Sequence, residues 1–158
     1  MAKSFSQAMK TAILADLQKL VDGGILNSAS ADDFSKLNPL DRDWPGFPSA
    51  VVIPPAVTTS AYEDVANNLR EYTWYIMVVT TPENLPSNDP QYLEGLIDSI
   101  LNVFDLDCTL QGTAVGAVDP AVLEPPGAIS SNSVTYVIFT VALKARALVP
   151  AAVQSATK

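Results

Sequence analysis

Histidine is absent from this 158-residue chain, and cysteine occurs once, at Cys108. Without histidine the chain lacks the commonest general base, the commonest transition-metal ligand and the usual pH switch. A Ser-His-Asp or Cys-His centre within one chain is excluded. A zinc site built around one thiol is all but excluded, and no internal disulfide can form, so nothing points to an oxidising compartment. Negative neighbours at Asp105 and Asp107 do not activate a thiol, so Cys108 reads as buried or inert.

Charge is scarce and one-sided. Charged residues make up 16 %, against roughly 25 % in ordinary soluble domains. Nine Lys and Arg face 17 Asp and Glu, for a net charge of −8. The cations are scattered from Lys3 to Lys158, so the clusters that neutralise nucleic-acid phosphates are missing. No run approaches the roughly 18 apolar residues of a membrane span. The richest, Val134 to Leu143, is broken by Thr135 and Thr140 and ends at Lys144. Met1 to Leu20 carries dispersed lysines and Asp16 where a signal peptide needs an unbroken apolar core. A protein made in a cytoplasm, soluble and with no membrane partner, is expected.

The familiar chemical motifs are missing too. Gly112-Thr-Ala-Val-Gly116 lacks the Lys-Ser/Thr of a phosphate loop, and there is no GxGxxG. Asp41-Arg42-Asp43 lacks the rest of a calcium loop. Ser130-Ser131 has no base to activate it. No catalytic residue, cofactor or metal is expected.

What is present is an ordered series of elements in one domain over residues 1–149, with 150–158 as a flexible tail. Phe5, Met9, Ile13, Leu17 and Val21 recur at helical spacing, with Ala8, Ala12 and Leu20 widening the stripe. Ser4 is a suitable N-cap, and Gly23-Gly24 a suitable stop. The stripe suits packing on a sheet or docking to a partner. Ile25 to Pro48 is rich in turn residues and reads as a long irregular loop. Its Trp44 is either an interface anchor or a lid folded back on the core.

Ala50 to Ile53, between prolines, reads as a short or edge strand, and Ala56 to Asn68 as loop or strand extension. Arg70 to Thr81 is rich in aromatic and β-branched residues and reads as a strand. Tyr72, Trp74, Ile76 and Val78 share one face; Thr73, Tyr75, Met77 and Val79 share the other. Both faces need a cover, one supplied by the chain's helices and the other by a second subunit. After a loop over 82–89, Asp89 and Pro90 open a helix. Tyr92, Leu93, Leu96, Ile97, Ile100, Val103 and Phe104 form its stripe to about Asp105, with Asp98 and Asp105 facing solvent.

Thr109 to Val118 alternates loosely as a strand, and Asp119 to Ser133, with Pro120, Pro125, Pro126 and Gly127, reads as a loop or hairpin tip. Val134 to Val149 is the longest strand. Val137, Phe139, Val141, Leu143 and Ala145 lie on one face. Tyr136, Ile138, Thr140, Ala142, Lys144 and Arg146 lie on the other, where the two cations gather positive charge at one end.

Few charges, doubly apolar strands and two proline-rich loops together favour an assembling structural protein. The order of elements carries a resemblance. A helix ends at Gly23-Gly24, and Phe47-Pro-Ser-Ala-Val-Val-Ile-Pro-Pro55 and Arg70-Glu-Tyr-Thr-Trp-Tyr-Ile-Met-Val-Val79 follow. Then come Tyr92-Leu-Glu-Gly-Leu-Ile-Asp-Ser-Ile-Leu-Asn-Val-Phe104 and Val134-Thr-Tyr-Val-Ile-Phe-Thr-Val-Ala-Leu143. Over residues 4 to 149 this resembles the tail-terminator proteins of long-tailed bacteriophages, the lambda-type minor tail protein U group.

The resemblance implies an α/β (α+β) fold, a mixed or antiparallel sheet of about four to five strands flanked by two helices, with long proline-rich loops. It implies a homo-oligomer, a hexameric ring in the virion neck, assembled in the host cytoplasm. That ring caps the tail tube formed by the major tail tube protein, stops its growth, and meets the head-completion or connector protein. DNA is then only passing cargo, and an acidic channel suits its passage.

The candidate interface residues are Arg42, Trp44 and Phe47 on one loop, Asp119 and Glu124 on the other, and Arg70, Lys144 and Arg146 as partners for acidic neighbours. Two alternatives are a cytoplasmic small-ligand-binding domain with a pocket around Trp44, Trp74 and Tyr75, and an adaptor that binds an extended partner at the edge Ala50 to Ile53.

Overall fold

The computed structural model describes residues 4–32, 38–62, 67–87 and 89–150; of the tail expected over 150–158, Pro150 ends the last strand and the rest lies outside them. The first helix, α1, spans Phe5–Asp22. The Ser4 hydroxyl accepts from the Gln7 backbone N–H at 3.1 Å, and the Gln7 side chain accepts from the Ser4 N–H at 3.3 Å. This reciprocal box satisfies two amide donors left over at a helix start. At the other end Gly24 adopts φ +77°. Its N–H reaches Val21 O and that of Ile25 reaches Leu20 O, at 3.0 and 2.9 Å. This is the double closure that a left-handed residue past the C-cap permits.

Five strands follow: β1 (Ser28–Ala31), β2 (Ser49–Tyr62), β3 (Asn67–Thr80), β4 (Asp119–Ser131) and β5 (Val134–Pro150). A second helix, α2, spans Tyr92–Leu106. They form one mixed sheet in the order β1-β2-β3-β5-β4, with β1 parallel to β2 and the other pairs antiparallel. The fold is α+β, a five-stranded mixed sheet with two helices.

Both helices pack on one face of the sheet. Met9, Ile13 and Leu17 of α1 and Leu96, Ile100 and Phe104 of α2 close over Trp74, Ile76, Phe139, Val141 and Leu143. The period-2 alternation of β3 and β5 places these residues together as their patterns require. The opposite face carries a smaller core of Val51, Met77, Val79, Tyr136 and Ile138, covered by Leu40, Trp44 and Phe47. The chain's own loop thus supplies part of the second cover for which a second subunit was expected.

Six local expectations change. The loop over 25–48 contains β1, which pairs with β2 through Ser28↔Ser49 to Ala31↔Val52. The segment Ala50 to Ile53 is therefore interior, not an edge. β2 also runs on through Pro54 and Pro55, because the register with β3 shifts between Ile53 and Ala56, and a bulge tolerates residues that cannot donate. α2 starts at Tyr92 with Gln91 as its cap, so Pro90 lies in the preceding turn and Asp89 Oδ1 accepts from the Gln91 N–H at 3.2 Å.

Residues 109–118 form turns, not a strand. Leu110, Gln111, Gly112 and Gly116 all take positive φ, and Leu110 is driven into the main core. Finally, the proline-rich stretch from Asp119 is not a loop but β4, the outer strand of the sheet. It joins β5 through Asn132 and Ser133, at φ +50° and +66°, the paired left-handed residues of a two-residue hairpin turn.

Candidate interaction surface

The smaller core carries an aromatic lid. Trp44 lies 5.7 Å from Phe47 and 6.3 Å from Tyr136, centroid to centroid, and Phe47 lies 6.3 Å from Tyr136. These separations suit tilted ring packing. Arg42 ties the lid down. Its Nε donates to Pro39 O at 2.7 Å and its Nη2 to Asp32 Oδ1 at 3.2 Å. Its guanidinium sits 5.4 Å from the Trp44 ring centroid, within cation–π range. Trp44 is half-buried, so it folds back as a lid and keeps an outer surface.

The cations do not form one patch. Arg70 has the parity of Tyr72 and Trp74 and belongs to the helix-covered face, whereas Lys144 and Arg146 lie on the opposite face. There the expected positive end is matched from within the chain. Arg146 Nε donates to Glu71 Oε2 at 3.2 Å, and Asp119 stands opposite Lys144 in the register of β4 with β5. Glu124 is exposed and faces Thr140 across a stretch where the pairing slips twice.

β4 itself is the most open element. Every residue but Pro120 and Ser131 is exposed, and its pairing within the sheet is with β5. Leu123 is 55 % and Ile129 48 % exposed, with Val122 and Val134 beside them. An unpaired strand edge is a template for another strand. Proteins usually guard such edges with lysine, proline or bulges; here there are prolines and register slips but no lysine.

The stretch leading into and through α2 carries exposed acidic residues. Glu83, Asp89, Glu94, Asp98 and Asp105 are all exposed, as expected for Asp98 and Asp105. The linear signal for this is the stretch between Arg70 and Lys144, which holds nine acidic residues and no Lys or Arg. Cys108 is exposed, not buried, because it lies in the turns that follow α2.

A groove of about 810 Å³ runs between the end of α1 and the start of α2, lined by Val21, Leu26, Phe47, Tyr92, Leu96 and Ser99 among others. The pocket expected around Trp44, Trp74 and Tyr75 does not form. Trp74 is buried under the helices, and the strand alternation turns Tyr75 to the opposite face. Among the described residues no helix is long and apolar enough to cross a membrane, and no three Cys, Asp or Glu side chains are grouped to hold a metal. No family model and no curated protein matches the chain.

Proposed function

We propose that this chain is a ring-forming structural subunit of a bacteriophage head–tail junction, of the tail-terminator type. The observation that carries the reading is the open β4 edge with Leu123 and Ile129 exposed beside it. A second copy supplying a strand or an apolar loop there would bury both. Among the described residues β1 pairs with only four residues of β2, so the far side of the sheet also offers edge for pairing. Two different edges meeting give heterologous contacts, the kind that close into rings.

The acidic helix side would give such a ring a negative surface, which repels DNA and lets it pass as cargo. The remaining partners in this reading are the major tail tube protein and the head connector, in the virion neck. Native mass spectrometry and negative-stain imaging at high micromolar concentration test it. A closed ring, six-membered by the resemblance, supports it; a strict monomer sinks it.

The groove between α1 and α2 favours a second reading, a cytoplasmic small-ligand-binding domain. A monomer whose melting temperature rises with a small molecule would favour that reading, since ligand bound to the native state must stabilise it.

A further inference from the structure

Asp16 sits inside the apolar stripe of α1 and has no exposed surface. Asp107 closes α2 as its C-cap. One oxygen of each carboxyl has a donor. Asp16 Oδ1 accepts from Lys19 Nζ at 3.2 Å, and Asp107 Oδ1 accepts from the Gln111 backbone N–H at 2.8 Å. The other oxygen of each, Oδ2, is buried and receives no hydrogen bond from a donor group. The Asp107 carboxyl acts on Asp16 both as a hydrogen-bonding neighbour and through its charge, and both effects raise the Asp16 pKa.

Buried polar atoms rarely stay unpaired, and two ionised carboxylates in contact repel. One proton resolves both difficulties. It makes one Oδ2 a donor and the other an acceptor, and O–H···O⁻ bonds are short and strong. We propose that Asp16 and Asp107 share a single proton and form a latch that fastens α1 to the end of α2 and loosens when that proton is lost. The latch is a property of the folded monomer and does not depend on ring formation.

Burial comes first among the causes, and the Asp107 carboxyl second, in pushing the Asp16 carboxyl from 3.8 up to about 7. Lys19 acts the other way, but its side chain is 64 % exposed and its charge is screened by water. These are the charged groups that bear on Asp16. The folded chain keeps the proton to near neutrality, whereas the unfolded chain releases it near 3.8. The stabilisation is therefore complete at acid pH and is lost as pH rises from about 4 toward about 7.

The test combines carboxyl-carbon NMR titration of the intact chain with thermal melts between about pH 5 and about pH 8. One carboxyl carbon of the pair should titrate near neutrality, and Tm should fall by about 5 °C or more across the range. D16N and D107N each place a neutral amide where the protonated acid stood. D16N should remove most of that fall and melt above the wild type at the alkaline end; D107N, which leaves Asp16 buried and takes away only its carboxyl neighbour, should remove part of it. Both carboxyls already ionised at the acid end of the range would overturn the proposal, as would the full wild-type fall persisting in D107N. Should one variant not fold, the other and the wild-type titration decide. A wild-type Tm that rises with added calcium at the alkaline end, without the neutral titration, would also overturn it and assign the pair to a cation.

Discussion

Arg42 holds its guanidinium 5.4 Å above the centre of the Trp44 ring while donating to Asp32 and Pro39. One side chain thus anchors a loop, neutralises a carboxylate and covers an aromatic. Trp44→Ala removes the centre of this arrangement together with its contacts to Phe47 and Tyr136. We expect a loss of about 2–3 kcal/mol, somewhat below that of a fully buried Trp, read as a lower urea midpoint at unchanged m. This cost makes Trp44→Ala a poor probe of assembly, because lost packing and lost ring contacts would coincide.

A cleaner probe lies on β4. Leu123 is 55 % exposed, so Leu123→Lys should leave monomer stability within about 0.5 kcal/mol. It also adds the charge that guards natural strand edges. If β4 forms the contact between subunits, the variant should run as a monomer by native mass spectrometry while melting like the wild type. Ring formation that survives the substitution would move the interface elsewhere.

The hairpin turn between β4 and β5 carries a local misfit. Ser133 adopts φ +66°, where an L side chain is strained and glycine is not. Ser133→Gly, creating the Asn-Gly pair favoured in this turn, should stabilise the fold by about 0.5 kcal/mol. Destabilisation in a denaturant melt would mean that the Ser133 side chain contributes something the turn geometry does not reveal.

The start of α1 offers a further check. Ser4→Ala removes the hydroxyl that accepts from Gln7 and should cost about 1 kcal/mol. Ser4→Asp should keep most of the stability, because a carboxylate also accepts from the first-turn amides and favours the positive end of the helix. Equal losses in both variants, by chemical denaturation, would show that the cap is not what steadies this end.

Much of this molecule is legible in its amino-acid order. Apolar spacing determines both helices, and two-residue alternation determines which side chains of β3 and β5 share a face. Such patterns are local, and burial acts on them in the same way in any fold that offers one wet and one dry side. Asp16 was legible as well. It falls between Ile13 and Leu20 at helical spacing, in the middle of the buried stripe.

Tertiary structure decided the rest, chiefly through backbone pairing. Pro120, Pro125 and Pro126 give β4 the composition of a loop, yet β5 offers it a row of backbone partners, and two register slips absorb the residues that cannot donate. In the same way the shift after Ile53 lets β2 continue through Pro54 and Pro55. The matching of Arg146 by Glu71, 75 residues away, and the meeting of Asp16 with Asp107 have no local trace. Spacing along a chain specifies which way a side chain faces; only the closing of the sheet and helices specifies what it faces.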